Sequence, residues 1–225
     1  MRVSSNKADF ARDFVFNLLK AKFLLDNYIV HHIISDKELA GDNPWKLQYY
    51  YLEDSKKRYP KKLSTSIEIQ KELVHLLSMF EVSFTPKQRK NYLFYCLMFL
   101  FKDVNTTDQK YLEFLRSLAN KYFHDVYLNA DNLSERNQPR PNAFDSTLLD
   151  SNGKLNLCVV EPEGSNFRNK FENIYQLGRS DVPLFVFNYM DYILWKRTRN
   201  SSICKRYRKV LICIINRCEN IGFFV

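Results

Sequence analysis

Glycine is scarce in this 225-residue chain: five are present, where average usage of about 7% would give roughly 16. So few glycines argue against glycine-rich phosphate loops, Rossmann units and many-turned β-sandwiches. Histidine is also thin, with four residues at 31, 32, 75 and 124 and none beyond. Cysteine occurs five times, an odd number, and no two stand in C-x-x-C spacing. Cys213 and Cys218 lie close in sequence but have no histidine nearby, so no zinc site is expected. Reduced thiols in a cytosolic protein are the better reading. The longest unbroken apolar run, residues 92–101, spans ten residues, and a bilayer needs about 20. The opening MRVSSNKADF has no apolar signal-peptide region. The expected location is therefore cytoplasmic, with no membrane partner.

What is present is mostly core material. The chain is 45% hydrophobic and 15% aromatic, with 18 Phe and 14 Tyr, which excludes intrinsic disorder for most of it. There are 34 Lys and Arg against 25 Asp and Glu, a net charge of +9. That excess at first suggests a nucleic-acid binder. Its location qualifies the suggestion, because residues 196–225 carry a net +7 and residues 1–195 only +2. The body is nearly neutral; the tail is basic.

Along the chain, Phe10, Phe14, Leu18, Leu25 and Ile29 recur at mostly helical steps, which predicts a helix over 8–34 with this stripe toward the core. The break Gly41-Asp42-Asn43-Pro44 follows, and a shorter polar-aromatic helix is expected over 45–57. Three starts carry a hydroxyl followed three residues on by Glu or Gln: Thr65 with Glu68, Thr85 with Gln88, and Thr106 with Gln109. They predict helices near 66–80, 86–102 and 107–128, packed as antiparallel neighbours through short connections. Residues 129–170 hold little periodicity, which fits either an ordered crossing loop or a linker, with a short strand expected at 155–160. A last helix is expected over 182–197. Its apolar residues lie on nearly every face, so it should be central, with Trp195 enclosed.

Self-contained chemistry is hard to find. His31 and His32 are adjacent and cannot both face one ligand on a helix. His75 sits in an apolar stretch and reads as a core-edge residue. His124 lies near a helix C-terminus, where its charge would suit the dipole. No H-E-x-x-H, calcium loop, G-x-S-x-G elbow or Walker loop occurs. Glu161 and Glu163 flank Pro162 in a turn and read as solvated carboxylates. No catalytic residue, metal ligand or cofactor is therefore expected. Two basic groups are candidate nucleic-acid contacts. Lys205, Arg206, Arg208 and Lys209 in the tail form the stronger electrostatic one. Lys56, Lys57 and Arg58 follow Tyr49-Tyr50-Tyr51, which fits either a stacking platform or the edge of the core.

Three segments in order carry a resemblance: LLKAKFLLDNYIV at 18–30, LSMFEVSF at 77–84, and FVFNYMDYILW at 185–195. Together they resemble the helical middle of GmrSD-like restriction nucleases. That family joins an N-terminal ParB/sulfiredoxin-like domain to a C-terminal HNH nuclease domain. The resemblance covers about residues 10–201. It implies DNA and the nuclease domains of the same system as partners. The family's Asp-Gly-Gln-Gln-Arg-type motif has no counterpart here, since no Asp-Gly pair occurs. The family runs from Arg-Asn-Ser into Glu-His and Pro-Gln, with the His serving catalysis. Here Arg199-Asn200-Ser201 is followed by Ser202-Ile203-Cys204-Lys205. The resemblance stops where catalysis would begin, so the basic end reads as a truncation or frameshift remnant.

The expectation is an all-α, irregular bundle of about six helices, as one helical domain over 1–201 with a basic tail over 202–225. The expected role is the non-catalytic central module of a GmrSD-like, DNA-targeting nuclease, inactive alone. The alternative is a helical protein–protein interaction module without nucleic-acid contact.

Overall fold

The computed structural model describes residues 6–32, 45–50, 58–60, 62–84, 90–103, 106–159, 167–175 and 182–199. The fold is all-α, an irregular bundle. In chain order the helices are α1 (Lys7–Tyr28), α2 (Ile67–Ser83), α3 (Asn91–Lys102), α4 (Asp108–Lys121), α5 (Ala143–Leu148), α6 (Phe167–Ile174) and α7 (Leu184–Thr198). Helix α2 packs on both α4 and α7, while α1 packs on α3.

Local sequence explains where the helices begin. The Asn6 side chain accepts a hydrogen bond from Ala8 N and caps α1. Ser66 accepts from Ile69 N and Thr107 from Lys110 N, so α2 and α4 each start one residue beyond the expected Thr65 and Thr106 caps. Helix α3 begins at Asn91 with no side-chain cap, after the expected start at 86. The Thr85/Gln88 signature lies outside the described residues. Helix α4 continues as a π-helical turn over Tyr122–Tyr127, whose wider winding buries Tyr122, Phe123, Val126 and Tyr127.

Two expectations fail early in the chain. Helix α1 ends at Tyr28, and Ile29 is already extended. The β-branched Ile29 and Val30 favour extended backbone there. His31–His32 (β1) then pairs antiparallel with Trp45–Lys46 (β2), His31 opposite Lys46. The helix expected over 45–57 is absent from its described part. Gln48–Tyr50 (β3) pairs instead with Arg58–Pro60 (β4), Tyr49 opposite Tyr59. Tyrosines suit a paired strand, and that preference prevails over the weak helical spacing.

Residues 129–159 form an ordered crossing, not a linker. Leu133, Ala143, Phe144 and Leu148 enter the core, and α5 lies against the π-helical turn. The strand expected at 155–160 is reduced, through residue 159, to one bridge between Leu149 and Leu155. Between these two residues the chain reverses around Gly153, at φ 69°, while Asp150 Oδ1 accepts from the backbone N–H groups of Asn152 and Lys154.

The core is aromatic. Phe80 is fully buried and packs against Tyr92, Tyr122 and Phe185. Four buried tyrosines keep their hydroxyls paired: Tyr95 donates to Asp145, Tyr111 to the Tyr28 carbonyl, Tyr175 to the Tyr127 carbonyl and Tyr192 to Glu72. Helix α7 is not enclosed on every face. Phe185, Val186, Tyr189 and Tyr192 are buried, whereas Phe187 and Leu194 are exposed and Trp195 is half-buried. The helix lies across α2 with solvent on its far side.

These differences separate two substitutions. Phe80→Ala should destabilise the fold by about 3–5 kcal/mol, since it opens a cavity among three rings. Trp195→Ala should cost clearly less, about 1–2 kcal/mol, because solvent already reaches the ring. Urea melts of the two variants test the order. Equal losses would mean that α7 is enclosed after all.

Candidate functional site

Two features of the described residues stand out from an otherwise ordinary core. The first is a carboxylate buried beneath three cations. Glu72 lies on the inner face of α2, one turn from Leu76, and is 1% exposed. Its Oε1 accepts from Arg116 Nε on α4 at 2.7 Å and from the Tyr192 hydroxyl on α7 at 2.7 Å. Its Oε2 accepts from Arg199, just past the end of α7, at 2.8 Å. Lys196 Nζ stands 3.6 Å from Oε1.

Tyr192, Trp195, Lys196 and Arg199 reach this place because steps of three and four residues share one helix face. The Arg199 guanidinium lies 5.6 Å over the Trp195 ring, and Trp195 in turn packs against His75 of α2 at 4.6 Å.

The electrostatics follow from this geometry. Burial alone would raise the Glu72 pKa, but hydrogen bonds from Arg116 and Tyr192 and the charges of Arg116 and Lys196 outweigh it, holding it to about 2. Lys196 is pushed down, first by burial and then by repulsion from Arg116. Burial lowers His75 to about 4, against the pull of Glu72, so it is neutral at pH 7. Beside His75 a shallow cleft, lined also by Ser78, Met79, Val82, Asn188 and Asp191, has room for about one water. It is too small for an organic substrate.

The second feature is α1. Leu24 is its one buried residue. Phe10, Phe14, Val15, Phe16, Leu18, Leu19 and Phe23 are each more than half exposed. The stripe Phe10, Phe14 and Leu18 therefore does not enter the core as its spacing suggests. Only its C-terminal continuation, Leu25 and Ile29, meets the body.

The candidate nucleic-acid contacts Lys205, Arg206, Arg208 and Lys209, with Lys56 and Lys57, lie outside the described residues. So does the basic tail over 202–225. For Arg58 only the backbone, in β4, is described. The histidines stay apart. His31 and His32 sit in β1, where His32 packs edge-on against Trp45, and His124 lies on the π-helical turn. Among the described residues no three His, Cys, Asp or Glu side chains cluster as metal ligands. Nor is any helix there long and apolar enough to cross a membrane.

Sequence reasoning missed Glu72, although a signal exists. Ile69, Leu73, Leu76 and Phe80 mark the buried face of α2, and position 72 falls on that face. A charge at a core position requires partners. Arg116, Lys196 and Arg199 carry no comparable local mark. No family model, no curated protein and no solved structure matches the chain.

Two titrations set the acid response. His75 is neutral in the fold to about pH 4, whereas the unfolded chain protonates it below about 6.5. Stability therefore falls as pH drops from about 6.5 toward 4. Glu72 stabilises the fold fully above its ordinary value of 4.5, and that contribution is lost as pH falls toward 2. Urea midpoints measured from pH 8 to pH 2.5 should decline in both windows. His75→Leu should flatten the upper window and Glu72→Gln the lower. A midpoint constant from pH 7 to 4.5 would contradict the buried neutral imidazole.

Proposed function

We propose that this chain is a non-catalytic helical assembly module, corresponding to the central helical region of a GmrSD-like, DNA-targeting restriction nuclease. The observation that carries the reading is α1. Seven large apolar side chains are exposed along one helix, and contiguous apolar surfaces mark protein–protein contacts. The helix-in-groove mode uses anchors at this spacing. In this reading α1 lies against the ParB/sulfiredoxin-like and HNH nuclease domains of the same system, and the bundle spaces them. The three resembling segments support the family reading: they fall on α1, α2 and α7, the first two running one or two residues past the ends of their helices.

The chain alone should not cleave DNA. Metal-assisted phosphodiester cleavage needs metal ligands and a positioned base, and the HNH-type His is absent from the sequence.

The direct test is co-expression of the tagged chain with the ParB/sulfiredoxin-like and HNH domains of a GmrSD-like nuclease, followed by size-exclusion chromatography. The native chain should co-elute with them. Phe16→Asp with Leu19→Asp should abolish co-elution while leaving the helical circular-dichroism signal and the urea midpoint nearly unchanged, since both side chains are exposed. Co-elution that survives the double substitution would overturn α1 as the docking element.

DNA contact, in this reading, belongs to the basic tail. Changing Lys205, Arg206, Arg208 and Lys209 to Gln should weaken duplex binding and reduce the salt slope by about 3–4, the share of four phosphate contacts. Fluorescence anisotropy at two salt concentrations measures both quantities. An unchanged slope would move the contact to the body, with Lys56, Lys57 and Arg58 as the next substitutions.

A further inference from the structure

The Glu72 cluster holds more positive charge than its carboxylate neutralises. Arg116, Lys196 and Arg199 all converge on one anion, which leaves two positive charges uncompensated. Among the described residues no second carboxylate lies within ion-pair distance of these cations. We propose that Arg116, Lys196 and Arg199 form a binding site for a doubly charged oxyanion, a phosphate monoester or free phosphate, built over the buried Glu72.

The arrangement is layered. Glu72 lies at the bottom, and the three cationic side chains are one-quarter to just over one-third exposed above it. Each arginine reaches Glu72 through one nitrogen: Arg116 uses Nε, and Arg199 uses one Nη. Arg116 also interacts with the Tyr192 hydroxyl; beyond that and Glu72, the two guanidinium groups have no further hydrogen-bond partner among the described residues. Guanidinium forks match the spacing of phosphate oxygens, and the ammonium of Lys196 adds a point charge.

The carboxylate and Trp195 fix the arginines before a ligand arrives. Glu72 holds the near side of each guanidinium, and the Trp195 ring supports Arg199 from beneath. The long side chains therefore lose little freedom on binding. Burial and then repulsion from Arg116 lower Lys196, and an incoming dianion relieves the repulsion. A structural ion pair alone would require one cation, or two at most; the third is the part that packing does not need. Phosphate near pH 7 carries about −1.5 to −2, close to the surplus. This site is separate from α1, so it stands or falls independently of the docking role.

The test is isothermal titration of the full chain with sodium phosphate at pH 7.5 and constant ionic strength, beside a dimethyl phosphate titration. Saturable phosphate binding is expected, with dimethyl phosphate, a monoanion that mimics a nucleic-acid backbone, clearly weaker. Lys196→Gln should weaken phosphate about tenfold, the worth of one charge-assisted contact. It should remain folded, because its amine is the most distant from Glu72. Arg197→Gln removes an exposed charge from the same turn and should leave the affinity unchanged. The proposal is overturned by no saturable binding in the native chain, by equal losses in the two variants, or by equal affinity for the two probes.

Discussion

The packing of three helices depends on one carboxylate. Glu72 is buried on α2, and it tolerates that position only because α4 brings Arg116 and α7 brings Tyr192, Lys196 and Arg199. Burying an unpaired carboxylate costs several kcal/mol. A well-packed leucine at the same place could be as stabilising, so the cluster is not explained by stability alone. Its consequence is uniqueness. An apolar α2–α7 interface can slide by a turn at modest cost, whereas a one-turn slip would carry Tyr192 and Arg199 away from the carboxylate. The register of α7 on α2 is thereby fixed, and with it the rings stacked between them.

Those rings explain how a chain with little glycine fills its interior. Phe80, Phe84, Tyr122, Phe144 and Phe185 form one connected cluster. Large side chains keep the helices apart, so close backbone approach through small residues is not needed. The tyrosines bring a second requirement, because each buried hydroxyl needs a partner. Several find one on a different element, which ties α3 to α5 through Tyr95 and Asp145, and α4 to the end of α1 through Tyr111 and the Tyr28 carbonyl. The π-helical turn serves the same interior by directing Tyr122 and Tyr127 inward from consecutive turns. The Tyr122 hydroxyl is the exception, buried with no partner among the described residues.

Much of the helical layout was legible in the sequence. Hydroxyl caps and periodicity located α2 and α4 to within a few residues and identified α3 and α7 as helices. Errors arose where two propensities compete. Tyr49 and Tyr50 suit a helix surface or a strand, and pairing with residues 58–60 decides for the strand. Phe10, Phe14 and Leu18 have core spacing, yet spacing records only that a face is apolar, not that the fold supplies something to cover it. Of the charged cluster, Glu72 alone left a mark in the sequence. Glu72 stood on an apolar stripe, but its cations lie 44 to 127 residues away and only the tertiary fold assembles them. The tail cations rest on charge counting alone.

Among the described residues, α1, a helix of 22 residues, draws its tertiary support from Lys20, which donates to the Phe101 carbonyl, and from the stretch beyond it, where Leu24 and Leu25 meet the body. The rest is an exposed segment close to the 12–15 residues at which an isolated helix is marginal in water. Its aromatic residues have moderate helix propensity at best, so intrinsic preference does not hold it. Two sources of stability remain: propagation from the anchored end, which weakens with each turn, and burial against something else. Seven side chains left half in water forgo a large hydrophobic gain, since fully burying one such residue stabilises by about 1.5–3 kcal/mol. A chain that has no use for a partner would gain by replacing them with polar residues. In the proposed reading the apolar surface of α1 is part of an interface, with helix order and partner contact each reinforcing the other.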